Sequence, residues 1–118
     1  MKKKRTDKLY IKDILDAIKS ITEYTNGLSF EHFRSKKIVI DAVVRNFEII
    51  GEAAKNTSED MKSLYREIPW KEMSGMRNKI IHEYFGIDLD IVWKTVQNLP
   101  VLEKSLKSIY YAKYSKRK

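Results

Sequence analysis

The chain reads as one all-α domain, an up-and-down helical bundle of about five helices, and three observations predict it. Four Gly and two Pro in 118 residues leave little turn material for a β-rich fold. Apolar residues recur at three- and four-residue steps in segments too long to be strands. The length suits a single hydrophobic core rather than two independent ones, so residues 1–118 are one domain with short basic tails at both ends.

Each element has its own signal. From Asp7 to about Asn26, Ile11, Ile14, Leu15, Ile18 and Ile21 mark an amphipathic helix that Asn26-Gly27 stops. Phe30 to Ser35 forms a short helical turn carrying His32, read as a surface or packing histidine. From about Lys37 to Asn56 the residues are apolar nearly all round, from Ile38, Val39 and Ile40 to Ala53 and Ala54, which predicts a central helix. Asp41, Arg45, Glu48 and Glu52 draw a single charged stripe along it. That stripe is either a solvent-facing strip of intrahelical ion pairs or the lining of the cleft or dimer seam opposite the Arg77/His82 segment. Ser58 is a candidate cap for a short third helix bearing Met61, Leu64, Tyr65 and Ile68. Pro69-Trp70 opens a fourth helix expected to reach Tyr84, with Gly75 inside it allowing a neighbouring backbone close. Asp88 caps the fifth, with Leu89, Val92, Trp93 and Val96 on its core side. Beyond Pro100 the spacing resumes at Leu102, Leu106, Ile109 and Tyr110, predicting one kinked helix or two in series.

Charge is unevenly distributed. Residues 1–8 carry five Lys/Arg against one Asp and residues 104–118 carry six with no acid, so the net +8 lies in the ends and the remaining body is net −2. Such ends either solvate the protein or help to hold an RNA backbone. Outside them no basic helix face matches a DNA recognition helix, which disfavours a DNA-binding regulator. Cysteine is absent, which removes disulfides and thiolate metal sites and fits a cytoplasmic protein. No apolar run is long enough to span a bilayer, and the basic N-terminus leads into an amphipathic helix rather than an export signal.

The chemistry concentrates in Arg77-Asn78-Lys79-Ile80-Ile81-His82-Glu83-Tyr84-Phe85. Arginine offers a fixed planar cation for phosphate, and histidine exchanges protons near neutrality. On an ideal helix Arg77 and Tyr84 share a stripe, whereas His82 lies roughly 140° from Arg77. The three therefore meet only if the helix ends or kinks there, or if the arginine reaches round. No HExxH, no clustered acids and no Gly-rich phosphate loop accompany them, so no metal or cofactor is expected. What remains is metal-independent cleavage of a phosphodiester by the RNA 2′-hydroxyl, which needs a base, an acid and a cation. One His82 cannot readily occupy both sides of the phosphate, whereas two copies in a symmetric homodimer can. In that scheme His82 is the acid/base, Arg77 stabilises the transition state, and Asn78 orients the imidazole or bonds a phosphate oxygen. The structural alternative makes Arg77 an ion-pair partner of the acidic stripe and His82 a cation at a helix C-terminus.

Arg77-x4-His82-x-Tyr84, with Arg45-Asn46-Phe47-Glu48-Ile49-Ile50-Gly51-Glu52-Ala53 and Tyr84-Phe85-Gly86-Ile87-Asp88-Leu89, resembles the HepT-like branch of the HEPN superfamily over about residues 10–105. The resemblance implies a ribonuclease using this Arg and His, with a polar residue directly after the Arg. It further implies the toxin half of a toxin–antitoxin pair whose partner is an MntA-type minimal nucleotidyltransferase. That partner adenylylates the signature tyrosine, here Tyr84, and an added phosphate beside Arg77 would fill the substrate's anion site. A competing expectation is a non-catalytic HEPN dimer that binds nucleotide or protein. Glu83 adds an acid beside the phosphate site.

Overall fold

Helix α1, Asp7–Thr25, begins where the Thr6 hydroxyl accepts the Leu9 amide at 3.3 Å, with the Asp7 carboxylate in the first turn at the positive end of the helix dipole. The computed structural model describes residues 6–82 and 86–114, and at Arg77, Ile80, Ile81, His82, Gly86 and Ile87 the description is of the backbone. Ile11, Ile14, Ile18 and Ile21 of α1 are fully buried. Each contributes about 2 kcal/mol of apolar burial, so this stripe anchors the helix to the core. The chain leaves α1 through Gly27 at φ 78°, a left-handed conformation that costs glycine nothing.

Helix α2, Phe30–Arg34, is the expected short turn, capped by Ser29. It sends Phe33 into the core, while His32 stays exposed as a surface histidine. Helix α3, Lys37–Asn56, is the central rod and packs against α1. Val43, Phe47 and Ile50 are fully buried, but Ile38 is 85% exposed, so not every apolar position of the helix is covered by a neighbour.

Ser58 opens helix α4, Glu59–Leu64, and also joins two distant parts of the chain. Its hydroxyl accepts the Met61 amide at 3.1 Å and donates to Asp7 Oδ2 at 2.6 Å, while its own amide donates to Asp7 Oδ1 at 2.8 Å. This clamp holds the start of α1 beside the end of α3, so the two helices run antiparallel. Helix α4 stops earlier than the apolar spacing predicts, and Leu64 points outward at 62% exposure. Ile68 is buried, and the indole N–H of Trp70 donates to the Tyr65 carbonyl at 3.0 Å across the turn.

The expected fourth helix is divided. Helix α5, Trp70–Ser74, follows Pro69 and ends at Gly75, and helix α6, Met76–Ile80, resumes after it. Close backbone approach occurs, but at a different glycine. A Cβ on Gly51 of α3 would lie 3.1 Å from the Met73 carbonyl oxygen of α5, whereas one on Gly75 would meet nothing nearer than 3.5 Å. The helical path stops at Ile80 rather than Tyr84. Ile81–His82 (β1) is extended and pairs antiparallel with Gly86–Ile87 (β2).

Helix α7, Leu89–Tyr114, starts at Asp88, whose Oδ1 accepts the Ile91 amide at 3.2 Å. It is one helix carried through Pro100, which sits on its exposed side, while Val92, Leu99, Leu106 and Ile109 face the core. Near its start, Trp93 meets Phe33 with ring centroids 4.9 Å apart. Near its end, the Lys8 ammonium lies 6.0 Å from the Tyr114 ring centroid, so α7 also runs antiparallel to α1. Counting α5 and α6 as one interrupted helix and α2 as a turn, the five expected helices are present in an up-and-down bundle.

Candidate active site

Arg77 and Asn78 are the second and third residues of α6, and His82 is the second residue of β1. Had the helix continued, five residues of helical rotation would have carried His82 roughly 140° around from Arg77. The change to extended backbone after Ile80 removes that constraint, with about 3.3 Å of rise per residue in place of 1.5 Å. Of the three alternatives the sequence leaves open, a helix that ends between the two residues is the one found.

Packing fixes α6 from both sides. Met76 is buried, and the helix contacts α3 and α7. On the other side of Gly75, Trp70 and Met73 are buried, seating α5 against α3. Asn78 and Lys79 remain exposed and available to an anionic ligand. A groove of about 460 Å³ runs beside this segment, lined by Met73, Met76, Lys79, Leu99 and Leu102 among others. Tyr84, the expected modification site, lies outside the described residues, as does Glu83.

The charged stripe on α3 carries the intrahelical partners that the first of its readings expects. Lys37 pairs with Asp41 at 3.2 Å, Arg45 with Glu48 at 3.9 Å, and Asn56 Nδ2 donates to Glu52 Oε2 at 3.3 Å, so intrahelical partners exist. The same stripe also lines a groove of about 610 Å³ whose described walls come from α1 and α3. Arg45, Glu48 and Glu52 share its lining with Tyr10 and Asp13. Sequence reasoning missed Tyr10 and Asp13. Their signal was available, since both lie off the Ile11/Ile14/Ile18 stripe and three residues apart, the spacing of one helix face.

Among the described residues no three His, Cys, Asp or Glu side chains gather as a metal ion would require, and no helix is long and apolar enough to cross a membrane.

The helical bundle, with its Arg-x4-His pair divided by a helix end, is compatible with a domain of the HEPN class, and the family match supports that class. The chain belongs to the HepT-like ribonuclease family, whose model, described as ribonuclease HepT-like, matches residues 14–109. It is 50% identical over 101 residues to a protein of Thermococcus cleftensis named as a probable ribonuclease HepT, covering 85% of this chain and 92% of that one. A protein of Caldanaerobacter subterraneus subsp. tengcongensis, provisionally named an RNase, is 42% identical over 89% of this chain and 95% of its own length. Another so named, from Methanocaldococcus jannaschii, is 42% identical over 80% of this chain and 78% of its own. No solved structure matches the chain.

Proposed function

We propose that this protein is the toxin of a HepT/MntA-type pair and acts as a metal-independent RNA endonuclease. The observation that carries this reading is the end of α6 at Ile80, between Arg77 and His82, in a chain that belongs to the HepT-like ribonuclease family. In the proposed reaction a histidine removes the proton from a ribose 2′-OH, whose oxygen attacks the adjacent phosphorus. The bond from phosphorus to the 5′-oxygen breaks, a protonated histidine supplies the leaving oxygen with its proton, and the products are a 2′,3′-cyclic phosphate and a 5′-hydroxyl. Arg77 neutralises the extra charge on the phosphorane oxygens, and Asn78 positions the imidazole or a phosphate oxygen.

Acid and base act on opposite sides of the phosphate, so the site is composite. His82 of each protomer serves one side in a symmetric homodimer, and the α3 stripe of Arg45, Glu48 and Glu52 supports that seam. Regulation falls on Tyr84. The nucleotidyltransferase antitoxin adenylylates its phenol, placing a phosphate near Arg77 and a nucleotide in the path of substrate.

The test is cleavage of total cellular RNA by purified protein in excess chelator, beside Arg77→Ala and His82→Ala. Fragments ending in 2′,3′-cyclic phosphate from wild type and neither variant are expected. Equal cleavage by His82→Ala would remove His82 from the mechanism, and no cleavage by wild type lacking adenylyl groups would remove the reading in favour of a binding module.

A further inference from the structure

The groove of about 460 Å³ beside α6 is graded in charge along its length. Its floor is apolar, made by Ile68, Met73, Met76 and Leu99, which are all buried, whereas its rim is polar. Glu72, Met76 and Lys79 line one wall at steps of four and three, the spacing of a single helix face. That face is carried across Gly75, whose amide donates to the Lys71 carbonyl at 3.0 Å and whose carbonyl accepts the Lys79 amide at 3.1 Å. Glu72 therefore stands about 10 Å behind Lys79 at 1.5 Å per residue, and Glu67 lies further back. Because β1 pairs with β2, α7 starts at the end of the groove where α6 stops, and it supplies Asn98 and Leu102 to the opposite wall. A cation thus marks the end nearest the cleavage segment, and carboxylates mark the far end.

We propose that this groove is a nucleobase subsite, which holds the base of an RNA nucleotide close to the one cleaved and selects bases that carry an exocyclic amino group. The proposal rests on the ribonuclease reading for its choice of RNA. A concave site with an apolar floor and a few convergent polar groups is the usual form of a small-ligand site, and the two methionines of the floor suit an aromatic ring. Lys79 takes the phosphate and Glu72 accepts from the amino group at the far edge of the base, so the charge gradient sets the direction in which the nucleotide lies. Glu67, beyond Glu72, repels a second phosphate from that end. Uracil has a carbonyl oxygen where cytosine has its amine, and an oxygen facing a carboxylate is left without a donor. His82 is only three residues past Lys79, about 10 Å of extended chain, so the base held here belongs to the neighbourhood of the scissile phosphate.

The test measures binding of short fluorescein-labelled 2′-O-methyl strands of adenylate, of cytidylate and of uridylate, which cannot be cleaved because the 2′-oxygen is blocked. Wild type is expected to hold the first two about ten-fold more tightly than the third. Glu72→Gln should bring the three within about two-fold of one another, since an amide can turn to donate as well as accept. Lys79→Gln should weaken all three about five-fold and lower the slope of log affinity against log salt by about 0.7, with the base preference kept. Asn98→Trp, at an exposed position where the new ring fills the groove, should weaken the adenylate and cytidylate strands about ten-fold. Glu23→Gln, exposed on α1 and outside the groove, is the charge-matched control and should match wild type. Equal binding of the three strands by wild type would overturn the proposal, as would a preference that survives Glu72→Gln or is lost in Glu23→Gln. Asn98→Trp with wild-type RNA binding but an altered mass in sedimentation would overturn it in favour of a face that docks protein. Total-RNA cleavage by the same wild-type preparation separates the two readings. Cleavage without a groove-dependent base preference sinks the groove alone, and a groove-dependent preference without cleavage sinks the nuclease reading alone.

Discussion

Replacing Gly51 with alanine tests whether the α3–α5 contact holds the active segment in place. The added methyl would lie 3.1 Å from the Met73 carbonyl oxygen and 3.6 Å from that of Ser74. Ordinary carbon–oxygen contact is longer than the first of these, so α5 or α3 must move by a few tenths of an ångström. Neither moves freely: Met73 and Trp70 pin α5 into the core, and Phe47 and Ile50 pin α3 close to the glycine. Alanine favours the helix by about 1 kcal/mol over glycine, whereas overpacking of this kind costs about 1–3 kcal/mol. The net expectation is a destabilisation of about 1 kcal/mol, or a fall of about 4 °C in Tm for a chain of this size. Thermal unfolding followed by circular dichroism, with urea titration as a check, measures it. Because α5 continues through Gly75 into α6, RNA cleavage should fall by more than the smaller folded fraction accounts for. A Gly51→Ala protein that melts several degrees higher with full activity would refute the reasoning, since helix propensity would then have won and α5 would be free to shift.

Four further outcomes are expected. Asp88→Ala removes the cap of α7 and should cost about 1 kcal/mol in urea unfolding, with a larger fall in cleavage because β2 enters the helix at that point. Asp7→Ala leaves the Ser58 amide and hydroxyl without their acceptor and should cost about 2 kcal/mol, measured by the same titration. Pro100→Ala restores a donor in the exposed middle of α7 and should raise Tm by a few degrees, read by calorimetry. Tyr114 has its phenol pKa raised from 10.0, first by burial and then by the Asp7 carboxylate, so its neutral form is favoured in the folded state. That contribution is present below pH 10 and is lost as pH rises through the folded value, so Tyr114→Phe should flatten the alkaline loss of stability relative to wild type.

How much of this was legible depended on whether the signal was local. Caps at Ser58 and Asp88 and the buried stripe of α1 were readable because side-chain spacing and one hydroxyl or carboxylate decide them. Ile38 and Leu64 misled because apolar character says nothing of whether a neighbour arrives to cover it. The role assigned to Gly75 belongs to Gly51, since close approach depends on the partner helix and both glycines look alike in one dimension. For the site, the Arg-x4-His spacing announced that a helix must be interrupted or reached around, without saying which. The four residues before His82 contain no proline or glycine to mark the stop at Ile80. That α1 begins beside the end of α7 was invisible for the same reason, being a property of helix direction.

That stop at Ile80 ties the chemistry to the packing. A two-residue antiparallel pairing has too few hydrogen bonds to stand alone, so Ile81–His82 and Gly86–Ile87 take their position from the helices on either side. Upstream the support is α6, seated by Met76 and, through Gly75, by the tight α3–α5 contact at Gly51. Downstream it is the capped first turn of α7, fixed by Trp93 against Phe33. Arg77 belongs to the first support, while His82 hangs between the two. Their relative placement therefore depends on the spacing of α6 from α7 rather than on local backbone preference. In the proposed reaction, whose rate would rest on how Arg77 and His82 are placed, substitutions in buried apolar positions of α3, α5 and α7 are expected to act on activity before they act on folding.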